Sequence, residues 1–279
     1  MWRLSMEVRL AKSFGFCFGV KRAIKIAEKS QDGITLGELI HNQKEIDRLK
    51  QGYGVRLAKG IDEISPKDHV IVRTHGIPKN ELTKLEAMGV KISDATCPYV
   101  TKPQKIVEQM SAEGYQVVIF GDIAHPEVKS VMSYAQNEAW VVKNLEELQK
   151  YKIPKKTALV SQTTKQTQKF YELAQYLLSH SYETRIFNTI CNATFQNQDS
   201  AKELAKEVDV MVVVGGLTSS NTKQLFEIAK RHCPDSYLIE DESGLDLKWF
   251  EGKKICGITA GASTPDWIIQ KVKQKIQEI

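Results

Sequence analysis

Apolar positions along the chain follow two rhythms. Short runs rich in Val and Ile, such as "HVIVRTHG", "YQVVIFG", "TALVSQTT", "VDVMVVVGG" and "KICGITAG", hold an apolar core and close on glycine or small hydrogen-bonding residues. Between them lie stretches with apolar residues three and four apart, such as "VKRAIKIAEKS", "NQKEIDRL" and "TKQLFEIAKRH". The first rhythm predicts strands covered on both faces and the second predicts helices with one buried stripe. Their alternation predicts an α/β fold of mostly parallel sheets with helices on the faces.

The alternation repeats three times, and each repeat starts at a cysteine. Cys17, Cys97 and Cys191 each precede a helical stretch, which leads to a strand ending on Gly37, Gly121 or Gly216. Four residues past these glycines stand His41, His125 and Ser220. A second helix, a short extended segment ("YGVRLA", "AWVVKN", "SYLIED") and a further apolar strand follow in every repeat. The pattern predicts three small α/β domains: 13–96, 97–190 and 191–279. The third lacks a strand, which the N-terminal 6–12 is predicted to supply. Functional residues of parallel sheets gather at the strands' carboxyl ends, so a pseudo-threefold packing lets all three sets face one cavity. A tandem of α/β domains with separate clefts is the alternative.

Composition narrows the class. The 279 residues are 42% hydrophobic and 26% charged, with a formal charge of +5 spread over 39 basic and 34 acidic residues. No dense basic tract with interleaved aromatics predicts a nucleic-acid partner, and no apolar run approaches the roughly 20 residues that span a bilayer. "MWRLSMEVRL" has no apolar core long enough for a signal peptide. Met6, where the patterned sequence begins, is a candidate start alongside Met1. Five cysteines, an odd number over a long chain, argue against a disulfide framework and for a reducing, cytoplasmic setting.

Thiols at equivalent places in three repeats point to ligation. Cys17, Cys97 and Cys191 are 80 and 94 residues apart, which excludes local zinc-ribbon and ferredoxin spacings. Three converging thiolates suit an iron–sulfur cluster with one iron lacking a protein ligand, or zinc with a histidine as fourth ligand. Cys233 and Cys256 have no counterparts and are expected to be structural. His41, His75 and His125 are three of six histidines, all in strand-end loops. "TSSN" (218–221) and "GAST" (261–264) hold the matching places in the third repeat. Imidazoles, hydroxyls, an amide and helix-start N–H groups together suit a phosphate or diphosphate. Glu127 in "AHPEV" is the carboxylate beside this cage and a candidate general acid, with Thr163 and Thr164 of "SQTT" placed to relay its proton. No G-x-G-x-x-G fingerprint accompanies them, so electrons are expected from a separate protein.

These segments resemble a known family. "GFCFGVKRAI", "LIHN", "THG", "DATCPYV", "HPEV", "SQTT", "ICNAT", "SSN" and "TAGASTPD" are similar to those of the LytB/IspH family, the 4-hydroxy-3-methylbut-2-enyl diphosphate reductases, over nearly the whole chain. The stretch "FQNQ" after Cys191 departs from the family pattern, which has a basic residue before the glutamine. The resemblance implies three α/β domains around one [4Fe–4S] cluster held by Cys17, Cys97 and Cys191, with one open iron site. It implies a substrate diphosphate bound by His41, His75, His125, Thr163, Ser219, Ser220, Asn221 and Ser263. Glu127, Thr163 and His125 are then the catalytic residues, and a ferredoxin or flavodoxin the electron donor. The implied reaction is the last step of the non-mevalonate isoprenoid route.

Overall fold

A strand buried on both faces needs apolar side chains at every position, and that is how the central strands of this protein read. In the computed structural model, which describes residues 6–279, all strand pairings are parallel and form three four-stranded sheets. Met1, the alternative start, lies outside the described residues. The first sheet runs β3 (Arg56–Ala58), β2 (Ile34–Leu36), β4 (His69–Val72), β5 (Lys91–Asp94). The second runs β7 (Trp140–Val142), β6 (Gln116–Phe120), β8 (Lys156–Ser161), β9 (Glu183–Ile186). In the third, β11 (Ser236–Ile239) flanks β10 (Val210–Val214), followed by β12 (Ile255–Ala260) and β1 (Glu7–Leu10). Strand β1 pairs Glu7 with Ile255 through Leu10 with Ile258, the place that β5 and β9 hold in the other sheets.

Helices cover both faces. Alternate residues of β10 point to opposite sides: Val210, Val212 and Val214 pack with Ile268, Ile269 and Val272 of α10 (Asp266–Gln277). Met211 and Val213 pack with Ala201 of α8 (Asn192–Ala205) and Leu225 of α9 (Ser220–His232). Strand β6 divides likewise. Val117 and Ile119 meet Val107 of α4 (Pro98–Ala112) and Val128 of α5 (Pro126–Met132). Val118 and Phe120 meet Phe170 and Leu173 of α7 (Thr167–His180). This two-residue alternation within an all-apolar run is the signature of a strand buried on both sides. The remaining helices of at least two turns are α1 (Phe18–Lys29), α2 (Gln43–Tyr53) and α3 (Lys79–Ala87). No described helix is long and apolar enough to cross a membrane.

The chain forms two compact units. Unit 1 comprises the residues up to Val20, His41–Glu45 and Asn192–Ile279, and contains the third sheet. Unit 2 comprises Lys21–Ile40 and Ile46–Cys191, and contains the first two sheets.

One offset in the sequence reading shifts. The N–H of Gly37 closes on Ala58 O and that of Gly121 on Val142 O, both 2.8–2.9 Å. In the third sheet it is Gly215, not Gly216, that closes on Ile239 O, at 2.8 Å. The residue four positions on, equivalent to His41 and His125, is therefore Ser219 and not Ser220. Gly215 adopts φ 151°, a conformation that glycine takes readily and other residues do not. Because residue 216 is also a glycine, the sequence alone does not tell the two apart. The departure at "FQNQ" is accommodated inside unit 1, where Asn197, 3% exposed, accepts a 2.6 Å hydrogen bond from Ser13 Oγ.

Candidate active site

The three cysteines occupy one structural position, three times. Each stands immediately before the first residue of a helix: Cys17 before α1, Cys97 before α4, Cys191 before α8. Each donates its backbone N–H to the carbonyl two residues past a strand's end. Cys17 binds Ala262 O beyond β12 (3.2 Å), Cys97 binds Thr74 O beyond β4 (3.0 Å), and Cys191 binds Thr163 O beyond β8 (3.0 Å). All three are half-buried and stand at helix N-termini. Cys233 and Cys256 differ on both counts. They are buried in the third sheet's core, and burial raises both thiols, Cys256 to about 12. That suits packing and not ligation.

In unit 2 the predicted residues form one continuous network. The imidazoles of His75 and His125 meet edge to face, centroids 5.2 Å apart. His125 caps α5: its Nδ1 accepts the backbone N–H of Glu127 at 3.2 Å. With Nδ1 an acceptor, the neutral ring carries its proton on Nε2, as a donor. Glu127, 1% exposed, turns its carboxyl to Thr163. Oε1 accepts from Thr163 N (2.6 Å) and Oε2 from Thr163 Oγ1 (2.7 Å). The carbonyl of that same threonine receives Cys191 N–H.

Burial dominates the electrostatics of Glu127. Loss of water pushes its pKa from 4.5 up to about 7, against the opposing hydrogen bonds from Thr163 and the charge of Lys165. The carboxyl is therefore about half protonated near pH 7, and both of its oxygens are bonded to Thr163. Gln162, which the sequence reading did not single out, braces this loop. Its Oε1 accepts from Asp122 N (3.1 Å) and its Nε2 donates to Thr164 Oγ1 (3.2 Å). Its only sequence signal is its place inside "SQTT".

Unit 1 gathers the small polar residues. Ser219 caps α9, its Oγ accepting from Thr222 N at 3.3 Å, and Ser220 and Asn221 form the first helical turn. Asn221 is 4% exposed, and neither its amide oxygen nor its amide nitrogen has a hydrogen-bond partner. Buried amides are rarely left in that state, because stripping both atoms of water costs about 1–3 kcal/mol each. The amide lies in the first turn of α9, where exposed N–H groups and the helix dipole attract anions. Ser263, in the loop after β12, donates from Oγ to His41 O at 3.2 Å. His41 belongs to this unit too.

The LytB protein family model matches residues 8–277. The chain belongs to the LytB family. It is 64% identical over 274 residues to a 4-hydroxy-3-methylbut-2-enyl diphosphate reductase of Helicobacter pylori, covering 98% of this chain and 100% of that one. The enzyme of the same name from a Nitratiruptor species is 58% identical, covering 98% and 99%. Among solved structures, (E)-4-hydroxy-3-methyl-but-2-enyl diphosphate reductase, described as the terminal enzyme of the non-mevalonate pathway, matches this LytB chain with a TM-score of 0.71 at 43% identity, covering 98% and 100%. The Plasmodium falciparum E-1-hydroxy-2-methyl-but-2-enyl-4-diphosphate reductase matches with a TM-score of 0.89 at 25% identity, covering 97% and 87%.

Proposed function

We propose that the chain is a 4-hydroxy-3-methylbut-2-enyl diphosphate reductase. It removes the allylic hydroxyl of (E)-4-hydroxy-3-methylbut-2-enyl diphosphate. Two electrons and two protons enter, water leaves, and the products are isopentenyl and dimethylallyl diphosphate. This is the last step of the non-mevalonate isoprenoid route. The enzyme works in the cytoplasm and takes electrons from a separate carrier such as a ferredoxin or flavodoxin. The names of its relatives support the reading, and one observation in the fold carries it: a buried Glu127 carboxyl bonded through both oxygens to Thr163.

The donor set suits an iron–sulfur cluster. Cys17, Cys97 and Cys191, one from each of the repeats 13–96, 97–190 and 191–279 (the last completed by 6–12), are half-buried thiols with equivalent backbone anchors at helix N-termini. The positive ends of three helix dipoles would offset the negative charge of a cluster. These three would hold a [4Fe–4S] cluster with one iron open, which would pass on the carrier's electrons and act as a Lewis acid, whereas zinc lacks redox chemistry.

The chain's own residues do the rest. His41, His75, His125, Ser219, Ser220, Asn221 and Ser263 bind the diphosphate, far from the bond that breaks, so their binding energy orients the substrate. His125 does so through its Nε2–H, because Glu127 N occupies Nδ1. Hydroxide is a poor leaving group and departs as water only if a proton arrives with it. Glu127 holds that proton. With Glu127 protonated at Oε2, the Thr163 hydroxyl accepts from it and donates onward to the substrate oxygen, while Thr163 N–H steadies Oε1.

Anaerobic purification is expected to give a brown protein with about four irons per chain and reductase activity that depends on an added electron donor. A colourless zinc protein after anaerobic reconstitution contradicts the proposal. Turnover without any donor makes the chain a lyase instead.

A further inference from the structure

Five residues change company in mid-chain. Strand β2 and α2 from Ile46 onward belong to unit 2, whereas His41–Glu45 belong to unit 1. Four elements of unit 1 hold this turn. Gly216, after β10, makes room for it: a Cβ there would stand 2.5 Å from His41 O. Ser263, after β12, donates to that same carbonyl. Asp241, after β11, forms an ion pair with Lys44. Trp267 of α10 donates its indole N–H to Glu45 Oε2 at 3.2 Å.

These are not incidental surface contacts. Glu45 is 1% exposed and the Asp241 side chain 7%, so both acids rely on hydrogen bonds within the protein in place of water. Burial alone would raise Asp241, yet hydrogen bonds from Lys44 and Ser243 hold it below its ordinary value. A helix start needs only its cap, and α2 already has one in Asn42, whose Oδ1 accepts Glu45 N–H at 3.1 Å. The indole and ion-pair anchors are additional to that cap, and they come from α10 and the loop after β11.

We infer that Trp267 and Asp241 are positioning residues that fix the His41 turn to unit 1. They keep His41 in register with Ser219, Asn221 and Ser263 as a single anion-binding half. The inference rests on the reading of this half as the diphosphate site. A chain without the anchors still folds and carries out the chemical step, but its His41 is delivered to the anion less often.

The test is a double-mutant cycle on the cluster-loaded full-length chain, with calorimetric titration of inorganic diphosphate beside steady-state kinetics. Trp267→Phe is expected to weaken diphosphate binding and raise KM by roughly 5–20-fold, with kcat within about twofold. Asp241→Asn should act in the same direction. Glu45→Gln keeps a carbonyl acceptor for the indole and should stay within about twofold of wild type. In a His41→Asn background, Trp267→Phe should change binding by less than about twofold. Hydrogen exchange at the amides of 43–45 should quicken in Trp267→Phe. Equal losses in both backgrounds, or unchanged binding and exchange in Trp267→Phe, overturn the anchor alone. A His41→Asn chain that binds diphosphate like wild type overturns the reading of His41 itself.

Discussion

Two buried polar groups of this protein are prepared in opposite ways. The Glu127 carboxyl in unit 2 has both oxygens served by Thr163. The Asn221 amide in unit 1 has neither atom served. The first arrangement holds a proton in a fixed place. The second leaves the Nδ2 donor unspent on the protein, as the proposed diphosphate capture requires. The contrast separates the two tasks of the proposed reaction: proton delivery needs a preorganised network before substrate binds, and diphosphate capture needs donors that have not been spent on the protein.

The largest effect should come from breaking the proton side. Glu127→Gln keeps the shape, an acceptor for Thr163 N–H and a donor to Thr163 Oγ1, but carries no transferable proton. We expect kcat to fall by on the order of 10²–10³, with KM and the cluster's absorption nearly unchanged. Wild-type turnover would remove Glu127 from the proton path.

Breaking the anion side should split the kinetics the other way. Asn221→Ala is expected to raise KM by about 10–100-fold, the worth of a hydrogen bond to a charged group, with a much smaller change in kcat. Unlike most substitutions of buried residues, it should leave the unfolding free energy unchanged or raise it by about 1 kcal/mol, because it deletes two unpartnered polar atoms. A destabilised variant would mean that the amide is already satisfied without substrate.

The smallest effect sharpens the comparison through pH. Because the folded pKa of Glu127, about 7, lies above its unfolded value of 4.5, the folded state binds the extra proton between them. Stability therefore falls as pH rises from 4.5 to 7 and is constant in this respect above that. Glu127→Gln should lose this slope, a difference on the order of 2–3 kcal/mol between pH 4.5 and 8, measurable by denaturant titration at each pH. The Asn221 variant should keep it.

Much of this was legible in the chain, for physical reasons. Strands β6 and β10 are apolar at nearly every position because both faces are covered, so "VVIF" and "MVVV", short and followed by glycine, read as buried strands. The cysteines were legible because the repeat fixes their place relative to helix and strand. The pairing of the N-terminal strand with the third sheet also showed, through the strand the third repeat lacks; finer details decided by contacts distant in sequence did not. In "GG" (215–216) either glycine could close the strand, and only the hydrogen bond to Ile239 distinguishes them. That His41–Glu45 packs with the third sheet is invisible locally, since Trp267 lies more than two hundred residues away. Asn221 was legible within "TSSN", but the buried, unpartnered state of its amide was not. The short α6 (Leu145–Leu148), a single turn capped by Asn144, was too brief to leave a helical period.

The claim that Glu127 stores the proton is tested most directly by a carbon-13 NMR titration of the carboxyl, with glutamate labelled at Cδ and Glu127→Gln supplying the assignment. A resonance that titrates near pH 7 in the substrate-free protein and vanishes in the variant is the predicted result. Titration near 4.5, the ordinary value for a solvated glutamate, would contradict it.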